Sequence, residues 1–347
     1  MIISLVAFTS SGKATMHQIA NFLYRQGNPI LDACFLPHSD FSLHEWTAKA
    51  FQSDAIVFVG ACGIAVRAIA PFVKDKYSDP AVVSIDDLGK FAVPLLSGHV
   101  GGANELAVMI ANATDGIPVI STATDLHDKF AVDVWAKTHG IRLCERQYAK
   151  EISAALLNNK PIGIVSDYMI DDDLPNGLVF ADSGELGICI SCDTQIQPFK
   201  HTLHAVPQIV TIGVGCRKNV TFETFERVVL DTLKRNNLSI ESVACLATID
   251  RKAEEPCIHA FCNTYQLPFV TASAEVLASV QGDFTASEFV GRVTGVDNVC
   301  ERAAVLAGGG TLLLCKQCQE GVTVAASAPD WRVCFKRSSN KHGRKSI

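Results

Sequence analysis

The sequence contains no apolar run approaching the roughly 20 residues that a bilayer-spanning helix needs, so a membrane-embedded chain is not expected. It has no excess of positive charge. Thirty Lys and Arg stand against 36 Asp and Glu, a formal net charge of −6, which leaves no electrostatic footprint for nucleic acid as the main partner. No basic, apolar and small-residue leader opens the chain. The apolar residues 2–8 are too few for one and read as a buried strand, so a cytoplasmic protein is expected. Short-period repeats and low-complexity tracts are missing too. Three catalytic or nucleotide-binding signatures are incomplete. SSGKAT (residues 10–15) has Ala7 where a phosphate loop needs glycine and Ala14 where it needs Ser or Thr, although its helix N-terminus can still bind a carboxylate. IGVGCRKN (residues 212–219) has Lys218 in place of the third glycine of a dinucleotide fingerprint. Ser97 does not sit in a G-x-S-x-G elbow, which removes the usual signal of a serine nucleophile.

What is present is the composition of a globular chain. Hydrophobic residues make up 48% and charged residues 19% of 347 positions, enough for more than one core. Thirteen cysteines in a chain expected in a reducing compartment read as free thiols that pack as small hydrophobes. Two C-x-x-C pairs, Cys189/Cys192 and Cys315/Cys318, lie in strand-like surroundings. Residues i and i+3 of a strand point to opposite faces, which suits chelation poorly. No metal site is expected.

Short β-rich runs alternate with amphipathic ones. This predicts an α/β protein of several domains, with mainly parallel sheets flanked by helices. Strands are expected at residues 2–8, 54–59, 81–85 and 91–96, the last two joined by the turn-rich hairpin connection Asp86-Asp87-Leu88-Gly89. Helices are expected at 10–27 and 101–114, with a short one ending at Ile69 before Pro71 and a further strand beginning at 119–120. From 131 to 205 the pattern weakens. A helix at 149–157 and a strand at 162–165 predict a small α/β middle domain, and Pro198 and Pro207 frame a linker. Alternation then resumes with strands at 209–214, 243–249 and 268–271 and helices at 221–236 and 254–265. A helix near 297–307 opens with Asn298 and Glu301 in capping-box spacing. Two final strands are expected at 311–314 and 322–325. The expected division is 1–130, 131–206 and 207–330, followed by a basic, solvated tail over 331–347.

Several segments carry residue types suited to chemistry. GACGIAVRAIAP (60–71) runs from a strand through Gly60 and Gly63 into a helix bearing Arg67. Glycine lets a backbone approach a ligand, although the same spacing also serves an ordinary βα turn. KDKYSDPAVV (74–83) places Asp75, Lys76 and Asp79 in a polar loop before a strand. In LLSGHVGGANELA (95–107), Ser97, Gly98 and His99 occupy a turn. Gly101 and Gly102 then open a helix holding Asn104 and Glu105. Histidine titrates near neutrality and can take or give a proton, and paired glycine amides can stabilise an oxyanion. STATD (121–125), with Thr124 and Asp125, can bind polar ligand edges or cap a helix. In IGVGCRKN, Gly215, Arg217 and Lys218 lie in a third glycine turn, before a helix, where cations suit carboxylates or phosphates. Three such turns point to a ligand bearing several negative charges.

GACGIAVRAIAP, KDKYSDPAVVSIDDLGKFAVPLLSGHVGGANELA and STATD together resemble the N-terminal domain of the cobalt-precorrin-5A hydrolases, the CbiG-type proteins. IGVGCRKN, LATIDRKAEE (246–255) and VGRVTGVDNVCERAAVLAGG (290–309) are similar to that family's C-terminal domain. There, Cys300 and Arg302 replace smaller residues and read as helix-surface positions. The resemblance covers all but the middle domain and the tail closely. It implies a cytoplasmic enzyme of cobalamin biosynthesis that opens the δ-lactone of cobalt-precorrin-5A with water and releases acetaldehyde, giving cobalt-precorrin-5B. Cobalt arrives inside the substrate, so no cofactor is expected. Other enzymes of the pathway and a second copy of the chain are the expected protein contacts.

Within that resemblance, His99 is the expected base or acid, Glu105 the second choice, and Asp75, Asp79 and Asp125 reserve carboxylates. The Gly101 and Gly102 amides would face the oxyanion, and Arg67, Lys76, Arg217 and Lys218 would grip substrate carboxylates. Gly60, Gly63, Ser97, Asn104, Thr124 and Gly215 complete the expected substrate-binding set. Two other readings stay open. One is a non-catalytic tetrapyrrole carrier, since the C-terminal domain also resembles a stand-alone protein of the aerobic pathway. The other is a nucleotide-dependent enzyme, which the degenerate glycine motifs do not favour.

Overall fold

A computed structural model describes residues 1–75, 78–98, 101–121, 129–285 and 297–336. The chain forms two compact units, Met1–Lys129 and Phe130–Ile347. Among the described residues no helix is long and apolar enough to cross a membrane.

The first unit is built on a six-stranded sheet. Its order is β2 (Ile30–Phe35), β1 (Ile3–Ala7), β3 (Ala55–Val59), β4 (Ala81–Ile85), β5 (Phe91–Leu96) and β6 (Ile117–Pro118). The first four run parallel, β5 is antiparallel to β4, and β6 is parallel to β5. β1, β3 and β4 are unbroken buried runs, as expected of strands covered on both faces. Alternate residues divide between two cores. Ile3, Leu5, Val57 and Val59 meet Met16, Ile19 and Leu23 of α1 (Ser10–Arg25) and Leu106 and Ile110 of α4 (Ala103–Thr114). Val6, Ile56 and Phe58 meet Trp46 of α2 (Leu43–Ala50) and Ala65 and Ile69 of α3 (Cys62–Ile69). The β4–β5 turn is tied by the Asp86 carboxylate, which accepts the N–H groups of Leu88, Lys90 and Phe91. The strand expected at 119–120 is displaced. β6 is the pair Ile117–Pro118, and Val119 and Ile120 lie beyond it.

The second unit holds two sheets. The first has the order β7 (Ile141–Leu143), β11 (Phe199–Pro207), β10 (Gly184–Ile190), β8 (Ile162–Ser166), β9 (Leu178–Phe180), parallel except for β7. It packs on α5 (Val132–Thr138) and α6 (Arg146–Leu157). The second has the order β14 (Phe269–Ala272), β13 (Val243–Ile249), β12 (Val210–Cys216), β16 (Val322–Ala328), β15 (Thr311–Gln319), with β16 antiparallel to both neighbours. Its helices are α7 (Phe222–Arg235), α8 (Pro256–Tyr265), α9 (Ala274–Ser279) and α10 (Cys300–Gly308).

Three expectations are corrected here. The segment framed by Pro198 and Pro207 is no linker: it is the buried strand β11, with Pro207 closing its end. Residues 331–335, grouped with the solvated tail, close the core over β8. Val333 is fully buried and exchanges backbone hydrogen bonds with Met169 and Asp171. Phe335 stacks on Trp135 at 5.2 Å. The apolar residues of WRVCF outweigh the charge that follows them; residues 337–347 lie outside the described residues. Cys300 and Arg302 are not free helix-surface positions. Cys300 is buried. Arg302 donates to the carbonyls of Leu277, Ala278 and Val280, closing the C-terminal end of α9, and pairs with Asp297 at 3.1 Å.

The capping box expected at Asn298 and Glu301 forms by half. Asn298 Oδ1 accepts the Glu301 N–H at 2.9 Å, but the Glu301 carboxylate turns elsewhere. Fully buried, it accepts from the N–H and hydroxyl of Thr285 and from the N–H of Lys316. Glu301→Ala removes this buried carboxylate and leaves the part-buried donors without their acceptor, and is expected to cost about 2 kcal/mol, read as a lowered urea midpoint of the full chain. A midpoint equal to that of the unsubstituted protein would show that water replaces the carboxylate.

Candidate active site

The LLSGHVGGANELA turn follows β5. Ser97 has φ +52°, a left-handed conformation that reverses the chain at the strand end. Its hydroxyl donates to the carbonyl of Asp79 at 3.1 Å, tying the turn to the KDKYSD loop. Gly101 has no room for a side chain. A Cβ there would lie 2.2 Å from Ser97 Cβ and 2.5 Å from its carbonyl oxygen. Gly102, at φ +90°, is the N-cap of α4. The Asn104 side chain covers Gly98, where a Cβ would lie 2.8 Å from Asn104 Oδ1. The first amides of α4 are partly consumed inside the turn: Ala103 N–H donates to Ser97 O and Asn104 N–H to Gly98 O. Among the described residues, no acceptor meets the N–H groups of Gly101 and Gly102. Glu105 is exposed on the first helical turn, where the helix dipole favours its carboxylate. His99 lies outside the described residues, between these two anchored ends.

Asp79 is buried and holds its own loop. Its Oδ2 accepts the N–H groups of Lys74 and Asp75 at 2.8 and 3.0 Å. This geometry makes it an organiser of the loop beside Ser97. Lys76, Thr124 and Asp125 lie outside the described residues.

The structure does not bring the two N-terminal glycine turns together. β3 and β4 are parallel, with Val59 opposite Ile85, and the Gly60 N–H donates to Ile85 O. β5 is antiparallel to β4, with Leu96 opposite Val82. Gly60 therefore sits at the edge formed by the carboxyl ends of the parallel strands and Ser97 at the edge formed by their amino ends, roughly 15 Å apart along a five-residue strand. The exposed Arg67 leans back toward Gly63, whose Cβ position is 3.9 Å from Arg67 Nη1. Gly60, Gly63 and Arg67 thus form a group of their own. Asp79, Ser97, Gly101, Gly102, Asn104 and Glu105 form another at the opposite edge.

The anion expected at the SSGKAT helix start is already present within the chain. Thr9, the N-cap of α1, donates its hydroxyl to Asp87 Oδ2 at 2.6 Å, and Thr15 donates to Asp87 O at 2.7 Å. A Cβ at Gly12 would lie 2.8 Å from Asp87 Oδ1. The Asp87 carboxylate from the β4–β5 turn thus lies against the helix start, held through the Thr9 hydroxyl, while the Gly12 N–H donates to Thr9 Oγ1.

In the second unit, the glycines of IGVGCRKN serve packing. A Cβ at Gly213 would lie 1.8 Å from the Cys300 carbonyl oxygen of α10, and one at Gly215 2.7 Å from Thr323 Oγ1. Arg217 and Lys218 are exposed, but not at a helix start as expected. α7 begins at Phe222, and its N-cap Thr221 accepts the Thr224 N–H. Of the C-x-x-C pairs, Cys189 and Cys192 are buried, the latter accepting from the Tyr168 hydroxyl at 3.0 Å. Cys315 and Cys318 are exposed on β15. One group that sequence spacing did not single out is Cys216, Glu255 and Cys257, whose ligand atoms lie within 4.8 Å of one another. Burial pushes the Cys216 thiol up to about 12, so it is no ready nucleophile.

Three family models match the chain in order. They are cobalamin synthesis G N-terminal over residues 45–125, cobalamin biosynthesis central region over 130–207, and cobalamin synthesis G C-terminus over 210–327. The chain is 32% identical, over 93% of its length and 96% of the relative's, to a protein of Salmonella typhimurium named cobalt-precorrin-5A hydrolase. It is 31% identical, over 78% of each, to a Priestia megaterium protein of the same name. The matched regions include both the Ser97–Glu105 turn and the Gly213–Lys218 turn, and the chain belongs to the cobalamin synthesis G (CbiG) family.

Proposed function

We propose that this chain is a cobalt-precorrin-5A hydrolase. The observation that carries the reading is the 32% identity to a protein of that name across 93% of the chain, too long a match to rest on one shared module. The substrate carries its own cobalt, and the protein supplies no cofactor to the reaction. In the overall step, cobalt-precorrin-5A and water give cobalt-precorrin-5B and acetaldehyde. Water adds to the lactone carbonyl and the ring opens to a carboxylate and a hydroxyethyl arm. Loss of the hydroxyl proton then lets the carbon–carbon bond break, with the electron pair passing to the macrocycle and a proton returning to the ring carbon.

The Ser97–Glu105 edge suits the first of these steps. The open amides of Gly101 and Gly102 suit the oxyanion of the tetrahedral intermediate. His99 takes the proton from water and later from the hydroxyl. Glu105, on the first turn of α4, is the second choice of base or acid, and Asp79 positions the loop through its backbone bonds. Lys76 is the cation for an acetate or propionate group at this turn, and Asn104, Thr124 and Asp125 belong to the same binding set, while Arg67 with Gly60 and Gly63 forms a separate cationic group of the first unit. The protein acts in the cytoplasm, as a homodimer and beside other enzymes of the pathway.

Mass spectrometry of the tetrapyrrole after incubation tests this. The expected product has gained water and lost C2H4O. A tetrapyrrole recovered bound to the protein with unchanged mass would favour the carrier reading instead.

A further inference from the structure

Cys216 ends β12, and Glu255 and Cys257 begin α8 after β13, its parallel neighbour. The three side chains thus meet outside the carboxyl ends of adjacent parallel strands, where α/β sheets place ligands. The two Sγ atoms are 3.9 Å apart. Two thiolates held about 2.3 Å from a tetrahedral ion are separated by about 3.8 Å, so the pair already has the spacing of one edge of such a site. The Glu255 carboxylate lies within 4.8 Å of both sulfurs and pairs with Lys252 Nζ at 2.6 Å.

We propose that Cys216, Cys257 and Glu255 bind a thiophilic divalent cation of the zinc type, with Lys252 as the neighbouring counter-charge. Charge balance supports this. Two thiolates and a carboxylate bring three negative charges, the ion two positive and Lys252 one, so the assembled site is neutral. Sulfur donors select zinc over magnesium or calcium. Cys257 sits on the first turn of α8, behind Pro256, where burial pushes its thiol up and the helix N–H groups partly offset that rise. Cys216 and Glu255 are half-buried and Cys257 buried, which leaves a path in on one side and a fourth position for water. The site does not depend on the hydrolase reading.

The test uses the reduced, metal-free full chain, titrated with zinc against a chromophoric chelator and, separately, with cobalt(II) as a spectroscopic probe. One zinc per chain is expected, together with a thiolate-to-cobalt charge-transfer band. Cys216→Ser or Cys257→Ser should roughly halve the band and weaken zinc binding roughly 100-fold, Cys216→Ser/Cys257→Ser should abolish the band, Glu255→Gln should weaken binding less, and the double variant Cys315→Ser/Cys318→Ser should leave both readouts unchanged. Circular dichroism of each apo variant separates loss of the site from loss of the fold. If the cysteine variants do not fold, the unsubstituted chain still decides, because absence of the charge-transfer band overturns the site. So does zinc retained at full affinity by a folded Cys216→Ser/Cys257→Ser variant. A Cys216–Cys257 disulfide that forms in air while the reduced protein binds no zinc would also overturn it.

Discussion

His99→Ala is expected to lower kcat by about 10²–10⁴-fold, the usual contribution of a positioned acid–base group, or roughly 3–5 kcal/mol of transition-state stabilisation at 1.36 kcal/mol per tenfold. Substrate affinity should change little, because the carboxylate-binding cations are elsewhere in the sequence. The split between kcat and Kd is the informative part. A lost proton-transfer group lowers kcat with binding intact, whereas a collapsed turn weakens both. The fold supplies the control. Gly98 is covered by Asn104, and Gly101 is pressed against Ser97, so the ends of the turn are fixed by residues other than His99. Glu105→Gln is the companion variant. If it loses more activity than His99→Ala, Glu105 is the base and His99 the helper.

Gly213→Ala is expected to give the largest loss of stability from a single methyl group. The added carbon would stand 1.8 Å from the Cys300 carbonyl oxygen and 2.8 Å from the Ala304 nitrogen. Both are backbone atoms of α10, so no side chain can rotate aside. The helix must lift from the sheet, parting the small-residue contact made by Ala303 and Ala304, both buried. Overpacking of a core costs about 1–3 kcal/mol where side chains can adjust; with backbone on both sides, the upper end or beyond is expected. Chemical denaturation of the full chain measures it. A midpoint unchanged from the parent would mean that α10 does not approach β12 this closely in solution.

These two positions show what the sequence could and could not disclose. The buried strands β1, β3 and β4 were legible because a strand covered on both faces is written as an unbroken apolar run. The Ser97–Glu105 turn was legible as a glycine-rich step from strand to helix. The hairpin at Asp86–Gly89 was legible from its turn residues, and with it the reversal of β5. Its consequence for the site was not: the reversal sends the Ser97 turn to the edge opposite Gly60. Residue type also misled where the partner is distant. The glycines of IGVG read as ligand-facing, but they are empty because Cys300 and Thr323 fill their space. The N–H-rich start of α1 read as able to take a carboxylate from a ligand, but Asp87, 72 positions beyond Thr15, lies against it, held by the Thr9 and Thr15 hydroxyls. Pro198 and Pro207 read as breakers although Pro207 only ends a buried strand, and the WRVCF segment was obscured by the basic residues that follow it.

The measurement that bears most directly on the central claim is the amount of acetaldehyde released when cobalt-precorrin-5A is supplied in large excess over the purified protein. A hydrolase releases many equivalents per chain, matched one for one by cobalt-precorrin-5B. Release of no acetaldehyde, with the tetrapyrrole bound but intact, would contradict the account and leave the chain as a carrier.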